Sequence, residues 1–276
     1  MQGTGDSRQA NTFKNEGNGL FQAGQYAAAE SKYSQAILAD DSIAALYTNR
    51  ALARLKLRLW DSAIDDCQTC LKINSESMKA YYYMAQAQVE LGNFDDALLT
   101  AKQARNLCVQ TNDKSLGQVT VLVLRCKKER WEHMDKWRKR EDLSLEGDMI
   151  AAIRREADDM IKTTEDAFER RDITQEYEAK ILAVQEVFER SRENDDKKRV
   201  VPDWMICDIT FNVFVDPVVT KSGKSYERSA ILEHLRLSRT DPLTRETLTP
   251  LDLRPNIALR EACNAFLEEN GWAADY

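Results

Sequence analysis

The sequence is short of histidine, of paired cysteines and of long apolar runs, and each shortage disfavours a class of protein. Its two histidines, His133 and His234, lie in separate regions without a nucleophile motif, which makes a hydrolytic triad hard to build. The six cysteines lack disulfide-rich spacing, so we expect reduced thiols. No apolar run approaches the ~20 residues that span a bilayer, and residues 1–12 lack a signal-peptide core. We therefore expect a cytoplasmic or nuclear protein without a membrane segment.

The charge balance argues against broad nucleic-acid binding. The chain has 46 acidic and 39 basic residues, a net charge of −7, and 31% of its residues are charged. Its 276 residues leave room for two domains, or for one domain with an extended element. Cys67 and Cys70 form a CxxC pair, but no second pair and no flanking βαβ pattern accompany them. We interpret them as small residues packed within a helix rather than as a redox or metal site.

A repeat of 34 residues runs through 10–107. When its three copies are aligned, four positions hold residues of the same type in every copy. These positions are Gly17, Ala51 and Ala85; Phe21, Leu55 and Val89; Tyr26, Trp60 and Phe94; and Ala29, Ala63 and Ala97. Small residues let two helices approach closely, and an aromatic residue fills the gap to the next repeat. This pattern is typical of tetratricopeptide repeats. It predicts a disordered tail over 1–9 and a three-repeat solenoid over 10–110.

A stack of helix pairs leaves an exposed apolar end, so we expect a capping helix over 111–140. Residues 119–124 favour a strand by propensity, but no partner strand lies nearby and 125–140 is strongly helical. We therefore predict helix throughout. Residues 125–140 hold eight bases against three acids, either as a solvated helix face or as a site for a specific partner.

Residues 141–198 have the pattern of a charged helical hairpin. Proline is absent from 146–198, and apolar residues recur there at spacings of three and four. Asp172 with Gln175 resembles a capping box, which predicts two antiparallel helices divided near Arg171. The apolar seam is narrow, so a coiled-coil homodimer is favoured, and a monomeric spacer is the alternative.

The last segment, 199–276, is predicted to be a small α+β domain. A polar turn at 221–223 joins the β-branched runs 213–219 and 224–226, which indicates a hairpin. A helix follows over 227–236. Asn256 is a plausible N-cap for a second helix, which is predicted to close at a left-handed stop at Asn270 and Gly271.

This order of elements resembles the U-box domain, the zinc-free relative of the RING domain in ubiquitin ligases. The resemblance is carried by Pro202, Ile209, Thr210, Phe211, Asp216, Pro217, Val218, Gly223, Tyr226, Glu233, His234, Asp241, Pro242, Leu243, Thr244, Arg245, Pro255 and Asn256. From residue 201 onward the only cysteines and histidines are Cys207, His234 and Cys263, whereas a structural zinc needs four ligands. We expect neither a metal nor a cofactor.

The whole chain resembles the family of co-chaperone ubiquitin ligases, which join a tetratricopeptide array, a helical hairpin and a U-box. The resemblance implies that the array binds the C-terminal tails of the seventy- and ninety-kilodalton heat-shock chaperones. It also implies that the U-box recruits a ubiquitin-conjugating enzyme, which transfers ubiquitin to misfolded clients for protein quality control. The alternative is a non-catalytic co-chaperone adaptor, against which the intact Ile209, Phe211, Pro242 and Arg245 argue.

The repeat frame places a set of donors in one concave groove. The residues predicted to bind the chaperone tail are Lys14, Asn18, Asn49, Lys56, Lys79, Tyr82 and Tyr83. Ammonium and amide N–H groups suit a chain-terminal carboxylate, and charge strengthens those bonds. The resemblance assigns Lys14, Asn18, Asn49 and Lys79 to a carboxylate clamp, and the two tyrosines to the edge of an apolar pocket.

The resemblance places the conjugating enzyme on Ile209, Phe211, His234, Pro242 and Arg245. In ubiquitin transfer a substrate lysine attacks a thioester on the conjugating enzyme, so the ligase acts only by positioning. We predict that Arg245 has the catalytic role, because a guanidinium fork can donate to carbonyls of both ubiquitin and the conjugating enzyme.

Overall fold

The computed structural model describes residues 6–195 and 200–275, without the side chains of 192–195. The chain divides into two compact units, the first formed by Met1–Arg130 with Asp203–Tyr276 and the second by Trp131–Pro202. The protein is mainly α-helical, as predicted, with one small sheet in the C-terminal segment. Among the described residues, no helix is both long and apolar enough to cross a membrane.

Six helices form the array as three consecutive pairs, which confirms the predicted tetratricopeptide solenoid. They are α1 (Ser7–Gln22), α2 (Tyr26–Ala39), α3 (Ala44–Lys56), α4 (Trp60–Ile73), α5 (Met78–Glu90) and α6 (Phe94–Thr111). Helix α1 begins three residues before the predicted array, because Asp6 caps it by accepting from the backbone N–H groups of Arg8 and Gln9. The predicted tail therefore includes helical residues at 7–9, and 1–5 lie outside the described residues.

The repeated small residues lie where the helices touch. Ala29, Ala51, Ala63, Ala85 and Ala97 are fully buried. Gly17 occupies the equivalent column in the first repeat, and a Cβ there would lie 2.7 Å from Cε1 of Tyr33. This helix contact therefore requires glycine unless the ring moves.

Charged side chains also join the first two repeats. Arg50 donates through Nε and Nη2 to the two carboxylate oxygens of Asp66, at 2.9 and 2.6 Å. Arg54 donates to Asp66 and also to Glu30, at 2.9 and 2.8 Å. Because Asp66 is buried, these paired contacts compensate the loss of its hydration and tie α2, α3 and α4 together.

The seventh helix, α7, is continuous over Leu116–Thr163, and α8 covers Ala167–Asp195. Residues 119–124 are helical as predicted, but the predicted division near Arg171 is wrong. The helices are separated at 164–166, where the side chain of Asp166 accepts from the N–H of Phe168 at 3.1 Å and its carbonyl accepts from the N–H of Arg170 at 3.1 Å. The capping-box pattern of Asp172 and Gln175 lies inside α8.

Within the second unit, the two helices share a narrow apolar seam. Its buried residues are Ala157, Ile173 and Tyr177, with Ile153 and Ile161 packed against them. The Tyr177 hydroxyl donates to the sulfur of Met160 at 3.1 Å. This seam agrees with the thin stripe seen in the sequence.

The C-terminal segment folds around a three-stranded antiparallel sheet of order β2-β1-β3. The strands are β1 (Pro217–Val219), β2 (Ser225–Glu227) and β3 (Arg254–Pro255), and the helices are α9 (Arg228–Leu237) and α10 (Ile257–Glu269). Val218 pairs with both Tyr226 and Pro255. Gly223, with φ +83°, turns the predicted hairpin; its first strand is shorter than expected, its second is shifted by one residue, and β3 was not predicted.

The sequence predicted how helix α10 begins and how it ends, and the structure confirms only its start. Asn256 caps the helix by accepting from the N–H of Leu259 at 3.1 Å, as predicted. The predicted left-handed stop is wrong, because Asn270 has φ −124°. The chain instead continues into a short 3-10 helix, Gly271–Asp275.

Candidate functional site

Two loops of the C-terminal domain have the same backbone architecture. We call residues 206–213 the first loop and 240–247 the second loop. Each is closed by an antiparallel bridge between its end residues, Ile206 with Val213 and Thr240 with Thr247. The Cys207 N–H donates to the Asn212 carbonyl at 3.0 Å, and the Asp241 N–H donates to the Glu246 carbonyl at 2.8 Å.

The match between the loops extends to their tips. Phe211 N–H donates to the carbonyl four residues earlier at 2.7 Å, and Arg245 N–H makes the equivalent bond at 2.8 Å. Thr210 and Thr244 each accept, through the side-chain oxygen, from the N–H two residues later at 3.4 Å. Phe211 and Arg245 both adopt left-handed backbone, with φ +57° and +61°. An L-residue pays about 1–2 kcal/mol for this conformation, so the hydrogen bonds hold strained tips in place.

The strained tips present their side chains to solvent. Phe211 is 71% exposed, and Pro242 and Arg245 are also exposed, while Ile209 is half-buried. Leu243 is 65% exposed and occupies the position in the second loop that Ile209 occupies in the first. Sequence reasoning did not assign Leu243 to the surface, although the matching spacing of Ile209-Thr-Phe and Leu243-Thr-Arg was a usable signal. Exposed apolar side chains on rigid loops are suited to a small, transient protein interface.

The β1–β2 hairpin anchors the first residue of each turn. The backbone N–H of Glu227 donates to the sulfur of Cys207 at 3.2 Å, and the Ser222 hydroxyl donates to Asp241 Oδ2 at 2.9 Å. The other oxygen of Asp241 accepts from the N–H groups of Leu243 and Thr244, at 2.8 and 3.3 Å. Burial acts to raise the pKa of Asp241, but these hydrogen bonds outweigh it and hold the pKa below its usual value. Asp241 is therefore a charged anchor of the second loop.

His234 joins helix α9 to the second loop. Its Nε2 lies 2.9 Å from the carbonyl oxygen of Thr240, and its side chain is half-buried. Phe211 and Arg245 form structural bonds through their backbone N–H groups, whereas His234 does so through its side chain. It supports the loop in addition to any contact that it makes with a partner.

Buried carboxylates brace the chain between the first loop and β1. One oxygen of Glu227 accepts from the N–H groups of Val215 and Asp216, at 2.9 and 3.1 Å. Burial raises the pKa of Glu227, and the carboxylate of Asp216 lies 2.8 Å from Nε of Arg228. The polar interior of this small domain thus depends on a few well-directed bonds.

In the array, the structure brings together two of the predicted groove residues. Asn49 donates through Nδ2 to Oδ1 of Asn18 at 3.2 Å, and the buried Tyr33 hydroxyl donates to the same oxygen at 2.9 Å. Because its oxygen accepts two bonds, Asn18 has its Nδ2 N–H groups left to donate to a ligand. Lys14 lies one turn earlier on α1 and bonds to Asn11 at 2.6 Å. Tyr33 was missed, because the sequence marks it only as a core residue.

The remaining predicted groove residues lie on α3 and α5. Lys56 and Lys79 are exposed, and the rings of Tyr82 and Tyr83 lie 5.8 Å apart at a tilt of 59°. Tyr82 packs against the apolar cluster of α6 and α7, whereas Tyr83 packs against the core of the second repeat. Hydrogen bonds from Ser115 mainly lower the pKa of Asp113, and the nearby charge of Lys79 lowers it further. Met78, which precedes Lys79, packs against the cluster that contains Leu116 at the start of α7.

The cysteines are free and buried. Burial raises the pKa of Cys108 and of Cys263 to about 11, and it also raises the pKa of Cys67 and Cys70. Both members of the CxxC pair lie within α4, so their thiols are poor nucleophiles. Within the parts of the chain that the structure describes, no group of three or more His, Cys, Asp or Glu residues could hold a metal ion.

Comparisons with known proteins find relatives both of the C-terminal domain and of the helical array. The U-box domain family matches residues 201–272. E3 ubiquitin-protein ligase CHIP of Arabidopsis thaliana is 33% identical over 271 residues, which are 97% of this chain and 96% of that protein. Hsp70/Hsp90 co-chaperone CNS1 of Saccharomyces cerevisiae is 30% identical over 149 residues, 51% of this chain and 39% of that protein. The solved TPR2B domain of yeast Sti1 in a pHsp70 complex has 27% identity and a TM-score of 0.43, covering 44% of this chain and 97% of that one.

An array of tetratricopeptide repeats joined to a U-box with two intact loops defines a U-box ubiquitin-protein ligase. This chain belongs to the CHIP family of E3 ubiquitin-protein ligases, since the similarity to a family member extends over nearly the whole of both proteins. It is a ubiquitin-protein transferase, and it works with a ubiquitin-conjugating enzyme and ubiquitin.

Proposed function

We propose that this ligase is a co-chaperone of the cytoplasm or nucleus. Its array binds the C-terminal tails of seventy- and ninety-kilodalton heat-shock chaperones, and its U-box directs ubiquitin to the misfolded clients that these chaperones hold. The bonded pair Asn18 and Asn49, with Lys14 one turn before Asn18 on α1, carries this proposal. The similarity of the array to a protein named as an Hsp70/Hsp90 co-chaperone supports it.

The groove suits a terminal carboxylate for a physical reason. Asn18 is oriented by two donors on its oxygen, so its amide nitrogen is placed for a ligand before binding occurs. Lysine side chains at Lys14 and Lys79 add charge-assisted donors, which are roughly twice as strong as neutral ones. Preorganised donors reduce the entropy cost of binding a flexible peptide.

On the U-box, Ile209, Phe211, Pro242 and Leu243 supply apolar contacts for the conjugating enzyme. Arg245, at the strained tip of the second loop, donates to carbonyls of ubiquitin and of the conjugating enzyme. These bonds hold the mobile thioester in an arrangement that a client lysine can attack, and the ligase forms no covalent intermediate. His234 maintains the loop through its bond to Thr240.

The helical hairpin of the second unit pairs with a second copy of the chain in this proposal. Its narrow seam leaves an open groove of about 490 Å³ lined by Ala157, Ile161, Tyr177, Ile181 and Leu182. Leu182, Val187 and Phe168 are largely exposed on the same hairpin. A second hairpin of the same sequence would cover such surfaces, as in coiled coils and helix bundles. A Leu182→Lys substitution should shift sedimentation from dimer to monomer, while Arg190→Lys should leave the dimer intact; a monomeric unaltered protein would refute this part.

The central test is ubiquitin transfer in a purified mixture of activating enzyme, conjugating enzyme, ubiquitin, a seventy-kilodalton chaperone and this protein, with a chelator present. We expect ubiquitin chains on the chaperone from the unaltered protein. Ile209→Arg should abolish all chains. Lys14→Ala should spare self-modification but leave the chaperone unmodified, and Lys72→Ala, an exposed lysine on α4, is the matched control.

Two results would contradict the proposal. If Lys14→Ala and Lys72→Ala modify the chaperone equally well, the groove does not hold its tail. If the unaltered protein binds the tail but forms no chains with any conjugating enzyme of a broad panel, a non-catalytic adaptor becomes the better account of this chain.

A further inference from the structure

The basic run on the seventh helix contacts the chain's own C-terminal domain. Lys127 donates to Oδ1 of Asn264 at 2.8 Å. Lys128 pairs with Asp275 at 2.6 Å, and Arg130 pairs with Glu268 at 2.7 Å. All of these residues belong to the first compact unit. The sequence left open whether the basic run is a solvated helix face or a site for a specific partner. For the part of the run in this unit, the partner is the C-terminal domain of the same chain.

A second group of contacts lies beside the first, on α6. Nη1 of Arg105 is 3.3 Å from Oδ2 of Asp216, the buried carboxylate that also pairs with Arg228. Leu232 of α9 packs against an apolar cluster of the array formed by Ala104, Cys108, Leu116 and Val119. The interface thus has an apolar centre and an outer row of ion pairs, which is the usual arrangement of a protein–protein interface, but it also contains the buried cation of Arg105, which is unusual there.

These contacts leave the two functional loops open. The interface uses α9, α10, the 3-10 helix Gly271–Asp275 and Asp216, the residue before β1. Phe211 and Leu243 remain 71% and 65% exposed in the same arrangement, and Arg245 is exposed as well. The array therefore holds the U-box without covering its apolar loop residues.

We propose that Arg105, Lys127, Lys128 and Arg130, with the apolar cluster that receives Leu232, form an intramolecular docking seat for the U-box. In the docked form the U-box presents its loops at a fixed distance from the tail-binding groove. Docking goes beyond the proposed function, because it needs no ligand. Its consequence rests on that function: a fixed distance restricts which lysines of a chaperone-bound protein meet the thioester.

The composition of the seat indicates that docking is reversible. Lys128 and Arg130 are each 36% exposed, so their ion pairs are weak and are screened by salt. At the centre, Nε of Arg105 and Oε1 of Glu227 are buried without a hydrogen-bond partner, whereas Nη1 of Arg105 has its ion-pair contact with Asp216 at 3.3 Å but no hydrogen bond. Buried polar groups that lack partners reduce the stability of the contact that buries them. Release of the U-box would allow water to reach these groups.

The test is a distance measurement in the full-length protein. Spin labels are attached at Leu38→Cys on α2 and at Leu251→Cys beside β3. Both leucine side chains are largely exposed in the unaltered protein. Labelled chains are diluted with unlabelled protein, so that each measured distance lies within one chain. We expect a single narrow distance distribution at low salt, which broadens at 1 M salt.

Charge reversal identifies the seat. Lys128→Glu with Arg130→Glu should broaden the distribution, and adding Glu268→Lys with Asp275→Lys should narrow it again. Arg138→Glu with Lys139→Glu, a matched reversal further along α7 in the second unit, should have no effect. A distribution that is equally broad in the unaltered protein and in the reversed variant would overturn the proposal, as would a failure of the fourfold swap to restore it.

Activity supplies a second readout. Without a chaperone, the variant with Lys128→Glu and Arg130→Glu should discharge ubiquitin from the conjugating enzyme at the unaltered rate, because the loops are open in both forms. With a chaperone, it should modify a wider set of lysines. Faster discharge by the variant would refute the claim that the docked loops are open. Because the distance measurement contains no chaperone, failure of tail binding would leave its outcome unaffected.

Discussion

Phe211 and Arg245 occupy the same position in two loops that share one hydrogen-bond pattern, and both have left-handed backbone, with φ +57° and +61°. In each loop the N–H of the tip residue donates to the carbonyl four residues earlier. The U-box therefore presents an aromatic ring and a guanidinium from equivalent, strained supports. Because the two positions are equivalent, the contribution of each side chain to function can be measured separately from the free-energy cost of its left-handed backbone.

Replacing Phe211 should stabilise the domain while it weakens partner binding. Asparagine tolerates left-handed backbone better than phenylalanine, so Phe211→Asn should raise the free energy of unfolding of the domain by about 0.5–1 kcal/mol. Loss of the exposed ring should lower conjugating-enzyme affinity by about tenfold or more. Hydrogen exchange of residues 201–275 and titration with the conjugating enzyme would measure the two effects. Phe211→Ala keeps the strain and should lose affinity alone; no gain of protection in Phe211→Asn would count against the strain argument.

Arg245→Ala should leave conjugating-enzyme binding largely intact and slow ubiquitin discharge by about 10- to 100-fold, because it removes a positioning fork. Arg245→Lys should recover little, since an ammonium lacks the planar fork. Arg245→Gly relieves the backbone strain as well as removing the side chain. Equal discharge rates for the alanine and glycine variants would assign the effect to the guanidinium. A loss of binding as large as the loss of rate would contradict the positioning role.

Tyr33 should affect chaperone-tail affinity without touching the peptide. Its hydroxyl donates to Asn18 at 2.9 Å, so Tyr33→Phe leaves the amide less well oriented. The loss of one neutral hydrogen bond predicts an affinity about 2- to 10-fold lower in calorimetric titration with a chaperone-tail peptide. Tyr26→Phe on the same helix is the control. Unchanged affinity in Tyr33→Phe would mean that Asn49 alone suffices to orient the amide.

Docking of the U-box should strengthen as the pH rises above about 8. Lys127 is 4% exposed, and burial, with Lys102 and Arg105 nearby, lowers its pKa to about 8 despite the opposing influence of Glu268 and Cys263. A solvated lysine has a pKa near ~10.4, so between these values the docked form binds fewer protons than the released form. Each pH unit in this window should favour docking by up to about tenfold.

The spin-label distances described above, recorded between pH 7 and 9, would check this dependence. Neutral Lys127 can still donate to Asn264, and Cys263, with a pKa of about 11, stays protonated in this range. Lys127→Met should abolish the pH dependence. If the Lys127→Met variant kept the same dependence of docking on pH, that dependence would have to come from another titratable group.

The array and the U-box were predictable because tight contacts restrict residue type. Ala51 and Ala85 are fully buried at helix contacts, and such positions recur visibly at a fixed period. The roles of Ile209, Phe211 and Arg245 were assigned from the resemblance to the U-box, and they stay predictions. Tyr33 could not be assigned as a positioning residue, since its hydroxyl bond to Asn18 depends on how α1 and α2 pack together.

The helix boundary and the docking seat were not predictable for different reasons. A capping-box pattern such as Asp172 with Gln175 also occurs within helices, and the real turn at 164–166 has no glycine or proline to mark it. The bond between Lys127 and Asn264 joins residues 137 positions apart. Helical periodicity reports which face is apolar, but not which distant segment covers a charged one.

Gly17 packs against the ring of Tyr33, and the hydroxyl of that ring orients Asn18. A methyl group at Gly17 would push the ring of Tyr33 away. The ring would then carry its hydroxyl out of place and weaken the hydrogen bond to the Asn18 amide. In a genetic screen for lost chaperone recognition, substitutions at Gly17 would therefore be recovered together with those at Asn18, although Gly17 is buried and carries no group that a peptide could contact. A mutation at Gly17 would therefore impair recognition of chaperone-bound clients in a protein that still folds.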